Sequence, residues 1–255
     1  MASASPMEPI LKVENVTKRF GGLIALESVT LAVRSGEVVG LIGPNGAGKT
    51  TLFNVISGFV PPTAGLVVFR GEIITGLPPY LIARRGLART FQIVRPFPDL
   101  TVLENLAIGG FTNRFLDIRE ELAIAFEKAR EVADEVGLSP WLERQATALP
   151  HGALKRLEIG RAMMLRPSVL LLDEPFAGLG GHEIDEMVEV VSRLARSGVT
   201  LIIVEHKLRV LMRLVQRVFV LDFGRLIAEG TPQEVAADPA VQKAYLGEKG
   251  VARFA

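Results

Sequence analysis

Apolar and polar positions alternate along the chain in three textures. Over residues 10–42 the apolar ones sit two apart or gather in short β-branched runs, as at Leu11, Val13 and Val16, at Val29, Leu31 and Val33, and at Val38-Val39-Gly40-Leu41-Ile42. Period-two spacing interrupted by Gly21-Gly22 and Ser35-Gly36 predicts strands joined by tight turns. From Gly48 to Ser57 the spacing turns helical, and Pro61-Pro62-Thr63-Ala64-Gly65 predicts a turn into a further strand over Leu66 to Phe69. Residues 101–147 form the second texture, rich in Ala, Glu and Leu. Here Leu122, Phe126, Ala129, Val132, Ala133 and Val136 have the spacing of an amphipathic helix.

In the third texture, Val169-Leu170-Leu171-Leu172, Thr200-Leu201-Ile202-Ile203-Val204 and Arg217-Val218-Phe219-Val220-Leu221 are apolar along most of their length. Such runs are expected of parallel strands buried on both faces, with helices over about 182–197 and 207–216 between them. Two short helices close the chain. Thr231 as N-cap and Pro232 at the first helical position start one, and Ala244-Tyr245-Leu246-Gly247 ends the other. No internal repeat is visible.

Composition narrows the class. Of 255 residues, 49% are apolar and 22% charged, enough for a full core and unlike a disordered or repeat chain. The absence of Cys excludes a disulfide framework, a thiolate metal site and a cysteine nucleophile. A net charge of +1 with no basic stripe argues against a nucleic-acid partner. The long charge-free run from Thr50 to Phe69 is broken by Asn54, Gly58, Pro61, Pro62 and Gly65, so it does not read as a bilayer span. Residues 1–9 lack a basic and an apolar signal region and read as a flexible lead-in. A cytoplasmic protein is expected, whose mean hydropathy of +0.33 hints at an apolar docking surface.

The chemistry concentrates at strand ends. Gly43-Pro44-Asn45-Gly46-Ala47-Gly48-Lys49-Thr50-Thr51 follows one strand and opens a helix, the context a phosphate-binding loop requires. Small residues let successive N–H groups converge on phosphate oxygens. Lys49 can bridge the β- and γ-phosphates, and the Thr50 hydroxyl can ligate Mg²⁺. Leu170-Leu171-Leu172-Asp173-Glu174-Pro175 ends an apolar strand in two acids. Alone they could merely solvate a strand end; beside a phosphate loop, Asp173 fits a Mg²⁺ shell and Glu174 a general base for water. His206 directly follows a buried strand, where it can sense a γ-phosphate or be an ordinary strand-end histidine. His151 and His182 read as structural. Gln92, in Arg89-Thr90-Phe91-Gln92, lies where sheet gives way to helices and can reach Mg²⁺ or the lytic water.

In this order the residues resemble the nucleotide-binding subunits of ABC (ATP-binding cassette) transporters over essentially the whole chain. The fit is best to the ATPases of branched-chain and other hydrophobic amino-acid importers, the LivG type. It is carried by Phe20-Gly21-Gly22, Gly86-Leu87-Ala88-Arg89-Thr90-Phe91-Gln92, Thr101-Val102-Leu103-Glu104-Asn105-Leu106 and Ala244-Tyr245-Leu246-Gly247-Glu248. The lipopolysaccharide-export ATPase is the nearest rival, and a non-transport cassette ATPase is a further alternative.

The resemblance implies an α/β P-loop NTPase fold: a RecA-like, mainly parallel sheet core, an N-terminal antiparallel β subdomain and an inserted α-helical subdomain. Residues 10–92 and 150–230 would form the ATP-binding core, 93–149 the helical insertion and 231–255 a helical tail. It further implies that Phe20 stacks on adenine, that Asn45, Gly46, Ala47, Gly48, Lys49, Thr50 and Thr51 bind ATP, and that Thr50, Gln92 and Asp173 serve Mg²⁺. Glu174, His206 and Gln92 would carry hydrolysis. Pro150, His151, Gly152 and Ala153 would form the signature loop that closes on the other subunit's γ-phosphate in a head-to-tail dimer. Implied partners are a second cassette subunit, membrane permeases and, indirectly, a solute-binding protein, with the chain peripheral on the inner face of the membrane.

The signature departs from the Leu-Ser-Gly-Gly-Gln or Leu-x-Tyr-Gly-Gln usual in relatives. Leu149-Pro150-His151-Gly152-Ala153 lacks both the Ser hydroxyl and the Gln side chain, although N–H groups past Pro150 can still face a phosphate. A weaker composite site is expected there. The loop Phe176-Ala177-Gly178-Leu179-Gly180 ends in Gly where relatives usually carry Asp or Asn.

Overall fold

The computed structural model describes residues 8–91, 96–110 and 118–246. Two sheets organise them. The strands β1 (Leu11–Phe20), β2 (Leu23–Val33), β4 (Ala64–Phe69) and β5 (Glu72–Ile73) form an antiparallel sheet in the order β2-β1-β4-β5. A six-stranded sheet runs β10-β9-β3-β8-β7-β6, from β3 (Val38–Ile42), β6 (Leu87–Arg89), β7 (Val169–Asp173), β8 (Thr200–Val204), β9 (Arg217–Asp222) and β10 (Arg225–Gly230). Its pairs are parallel except β9 with β10.

The helices are α1 (Lys49–Ile56), α2 (Pro79–Arg84), α3 (Val102–Ile108), α4 (Ile118–Glu135), α5 (His151–Met163), α6 (Gly181–Arg196), α7 (Leu208–Leu214), α8 (Pro232–Ala237) and α9 (Pro239–Leu246). Among the described residues, no helix is long and apolar enough to cross a membrane.

The continuous apolar runs serve two cores at once. Leu170, Leu172, Leu201 and Ile203 point into a cluster shared with α3, α4, α5 and α6. Val169, Leu171, Ile202 and Val204 point the other way, into a cluster shared with α1 and the antiparallel sheet. Successive strand residues face opposite sides, so a strand covered on both faces must be apolar throughout. Helix α3 starts with a capping box in which Thr101 and Glu104 satisfy each other's backbone N–H groups. On α4 burial begins at Ala125; Leu122, expected on the apolar face, is exposed one turn earlier.

Register decides where the loops emerge. Strand β8 lies between β3 and β7, with Leu41 opposite Val204 and Val204 opposite Asp173. The carboxyl ends of all three strands therefore fall in one row. The segments beginning at Gly43, Glu174 and Glu205 leave the sheet side by side, along the edge where parallel α/β sheets take their ligands.

Candidate functional site

At the end of β3 the chain turns through Gly43, at φ 155°. A Cβ there would lie 2.2 Å from the Leu221 carbonyl oxygen on β9, so only glycine lets the loop cross its neighbour. Gly48 caps α1 at φ 105°, where a Cβ would approach the Ala25 carbonyl to 2.7 Å. Between them Asn45 and Gly46 are exposed and Ala47 is buried, while Thr50 is exposed and Thr51 half-buried on the first turn of α1. The buried Lys49 ammonium donates to the carbonyls of Gly43 at 2.7 Å and Pro44 at 2.9 Å. Burial lowers its pKa, and the charges of Glu174 and Asp173 oppose that shift. A cation held beside exposed loop amides at a helix start is chemistry for an anionic phosphate.

The two acids stand in different surroundings. Asp173 is buried at the end of β7, its N–H donating to the Thr90 hydroxyl at 3.2 Å. Its Oδ2 accepts from Arg89 at 2.8 Å, in an ion pair whose side chains are only 5% and 6% exposed. Arg89 also donates to Asn54 at 2.6 Å and Ser57 at 3.3 Å, and lies over the rings of Phe53 and Phe91. Glu174 takes a left-handed backbone at φ 51°, uncommon outside glycine and a form of strain found at functional sites. Its N–H donates to the Val204 carbonyl at 2.9 Å, which fastens it to β8. Its Oε1 lies 3.1 Å from His206 Nε2, with the His206 side chain 46% exposed. The fold thus brings an acid from the end of β7 and a histidine from the end of β8 into hydrogen-bond reach.

Other expected residues are spread more widely. Phe20 is 48% exposed at the end of β1, which removes it from the core, and Lys18 Nζ sits 4.9 Å from its ring centroid. Gln92 lies outside the described residues; the N–H of Phe91 just before it is held by the Glu158 carboxylate on α5. Burial pushes the Glu158 carboxyl above its ordinary range despite that hydrogen bond and the nearby Lys155 and Arg161.

Pro150 caps α5 and His151 opens it, with His151 Nε2 3.3 Å from the Ala177 carbonyl oxygen. Ala153 is fully buried, and the Gly152 N–H donates to Glu183 Oε1 at 3.0 Å. His182 is exposed beside Glu186 at 3.5 Å. A cleft of about 720 Å³ runs from Thr50 and Asp173 past Arg89 and Phe91 to Glu158 and Ile108.

Strand, phosphate loop, paired acids and strand-end histidine now stand on one sheet edge. The ABC transporter family model matches residues 26–177, and that of branched-chain amino acid ATP-binding cassette transporters matches residues 225–251. The chain belongs to the ABC transporter ATP-binding family. The cassette is 43% identical to the high-affinity branched-chain amino acid transport ATP-binding protein BraF of Pseudomonas aeruginosa, over 94% of this chain and 98% of that protein. It is 40% identical to LivG of Escherichia coli, covering 94% and 99%.

Among solved structures, the ADP conformation of an ATP-binding cassette from an ABC transporter superposes with TM-score 0.84 at 36% identity, covering 94% and 99%. A dimeric cassette bound to ADP and Pi superposes with TM-score 0.75 at 27% identity, covering 87% and 98%. The cassette fold and nucleotide binding follow, and the branched-chain matches disfavour the lipopolysaccharide-export alternative.

Sequence reading passed over several residues that shape the cassette's site. Arg89 stands in the sequence only as part of a family marker. Glu158 looks like any charged helix position, and Glu205 like a strand-end acid. The Tyr245 hydroxyl on α9 meets the backbone of Gly43, and burial raises its pKa.

Proposed function

We propose that this cassette is the ATP-hydrolysing subunit of an importer that takes up branched-chain or other hydrophobic amino acids through separate permease subunits. The observation that carries the hydrolytic assignment is the 3.1 Å contact of Glu174 Oε1 with His206 Nε2, beside the loop that holds Lys49. In this reading the N–H groups of residues 45–51 and Lys49 hold the phosphates, Phe20 stacks on adenine, and His206 orients the γ-phosphate. Glu174 takes a proton from water as its oxygen attacks the γ-phosphorus; the bond to the β-phosphate oxygen breaks, leaving ADP and inorganic phosphate. A positioned general base of this kind contributes about 10²–10⁴ in rate.

The hydroxyl of Thr50 and the carboxylate of Asp173 are hard oxygen donors, and both line the cleft that reaches the phosphate loop. With nucleotide phosphates they would hold Mg²⁺, which neutralises developing phosphate charge, Gln92 completing the set. The family pairs cassettes with permeases. Exposed Phe91 and Ile108 line the cleft, and exposed Phe59 and Tyr80 line an adjoining groove that shares Arg89 and Phe91 with it, an apolar surface that supports docking of a permease there. Pro150, His151, Gly152 and Ala153 would face the nucleotide of a second cassette subunit. A solute-binding protein would act through the permease, and the cassette would sit on the inner face of the membrane.

The test is ATP hydrolysis by the purified chain alone and mixed with permeases and a second cassette subunit, together with Glu174→Gln. Turnover should fall at least about 10²-fold in the variant while ATP binding persists. Unaltered hydrolysis removes Glu174 from the role. Assembled vesicles that hydrolyse ATP without accumulating leucine, isoleucine or valine refute the importer assignment.

A further inference from the structure

Two side chains that flank His206 have no part in the hydrolysis just described. Glu205 directly follows β8 and is only 2% exposed, and a carboxylate removed from water to that degree needs compensating donors. It finds them in backbone amides. Oε1 accepts from the Phe176 N–H at 3.0 Å, and Oε2 accepts from the N–H groups of His206 at 2.6 Å and Lys207 at 2.8 Å. Lys207 reaches the other way, its Nζ donating to the Leu179 carbonyl at 2.7 Å.

The neighbours of His206 therefore grip both ends of residues 176–179, the segment that follows Glu174 and Pro175. Phe176 and Leu179 are buried in the core, and the side chains beside His206 add polar ties to the backbone of each. The segment contains Gly178 at φ 76° and runs into Gly180, which caps α6 without a side chain of its own. Its local hydrogen bonds are a pair of turn contacts, Ala177 N–H to the Glu174 carbonyl at 3.1 Å and Leu179 N–H to the Phe176 carbonyl at 3.3 Å.

We propose that Glu205 and Lys207 are positioning residues for ATP hydrolysis, clamping the 176–179 loop to the His206 segment so that Glu174 and His206 hold their mutual geometry. Glu174 is then fixed from both sides: its own N–H is tied to β8, and the chain just beyond it is tied to the start of α7. The inference rests on the reading of Glu174 and His206 as the hydrolytic pair.

The chemistry of the clamp selects the variants. Lys207 is half-buried, and Lys207→Met keeps its apolar stem while removing the donor; Lys207→Arg restores a cationic donor of similar reach. Glu205→Gln has one oxygen to serve three N–H donors. Its amide group must face either Phe176 or the His206-Lys207 pair as donor against donor, so one side of the clamp opens.

The experiment measures kcat and KM for ATP, with thermal midpoints, in the full chain assembled with its partner subunits. For Lys207→Met, kcat should fall about tenfold, equivalent to about 1.4 kcal/mol of transition-state stabilisation, with KM within about twofold of wild type. The thermal midpoint should barely move, and Lys207→Arg should recover most of the rate. Glu205→Gln should lower kcat further. If that variant does not fold, the Lys207 pair decides alone. Wild-type kcat in Lys207→Met, a raised KM in place of a lowered kcat, or a loss that Arg does not restore overturns the clamp. Full hydrolysis by Glu174→Gln would overturn the underlying reading instead, so an inactive Glu174→Gln beside an unimpaired Lys207→Met rejects the clamp only.

Discussion

Arg89→Met is the substitution whose cost the structure fixes most closely. It removes the cation from a pair whose side chains are 5% and 6% exposed, leaving Asp173 as a buried charge. Breaking such a pair costs about 3–5 kcal/mol, against about 0–1 kcal/mol for a pair in water. Three features place the value at the lower end. The Lys49 ammonium still faces Asp173. Arg89 Nε is buried without a hydrogen-bond partner among the described residues, so its removal relieves a penalty. The Met thioether also packs acceptably against the Phe53 and Phe91 rings over which the guanidinium lies.

A net loss of about 3 kcal/mol is expected, or a urea midpoint lowered by about 1–1.5 M for an m-value of about 2–3 kcal/mol/M. The assay is urea unfolding followed by far-UV circular dichroism and by fluorescence of Trp141, the chain's single tryptophan. Arg89→Met combined with Asp173→Asn should regain much of the loss, because no unpaired charge remains. A loss below about 1 kcal/mol together with strictly additive single and double variants would refute the account of a desolvated pair.

Other outcomes follow from the same geometry. The folded-state pKa of Glu158 lies above its unfolded value, so the penalty of its charge is absent below the unfolded value of about 4.3 and grows as pH rises through the folded one. Glu158→Gln, which still accepts from Phe91, should raise the urea midpoint at pH 8 by an amount that shrinks toward pH 5, and a pH-independent gain would count against it. Gly43→Ala puts a methyl 2.2 Å from the Leu221 carbonyl and should cost about 1–3 kcal/mol and weaken binding of a fluorescent ATP analogue. Gly46→Ala enters open space, meets only the penalty of φ 81°, and should fold with a smaller loss.

Features legible in the sequence are those written by short-range rules. Doubly buried β7 and β8 are apolar over Val169–Leu172 and Leu201–Val204 because both faces are covered, and the turn into α1 shows as a run of small residues and glycines. Strand β6 escaped because three residues show no period, and β10 because Arg225, Glu229 and Gly230 hide an edge strand's pattern. Leu122 satisfied the helical period without having anything to pack against. Within the site, each half of the Glu174–His206 contact is legible and their meeting is not, since it depends on the order β3-β8-β7. The Arg89–Asp173 and Glu205–Phe176 contacts are hidden for the same reason: a charge in a sequence carries no sign that its partner lies on another strand.

One departure visible in the sequence gains a physical consequence from the structure. Pro150 has no N–H, Ala153 is fully buried, and the Gly152 N–H is engaged by Glu183 Oε1 at 3.0 Å while Glu183 Oε2 accepts from Gly180 at 3.2 Å. Those two backbone hydrogen bonds hold the Glu183 carboxyl below its ordinary range, so it stays ionised across neutral pH. An anion on this amide competes with any phosphate offered by a second subunit, and the phosphate must displace it before the composite site closes. Under the proposed function, the weaker half of an assembly is therefore the one that uses this signature.

Glu183→Ala frees the amide and removes the repelling charge. It should raise hydrolysis by the chain alone by about two- to tenfold, the worth of one charge-assisted contact partly offset by a looser start of α6. The gain should be smaller when a cassette with an intact Leu-Ser-Gly-Gly-Gln loop supplies the trans contact. Equal gains with and without that partner would place the effect of Glu183 in α6 itself, and no gain in either case would show that the carboxylate does not compete.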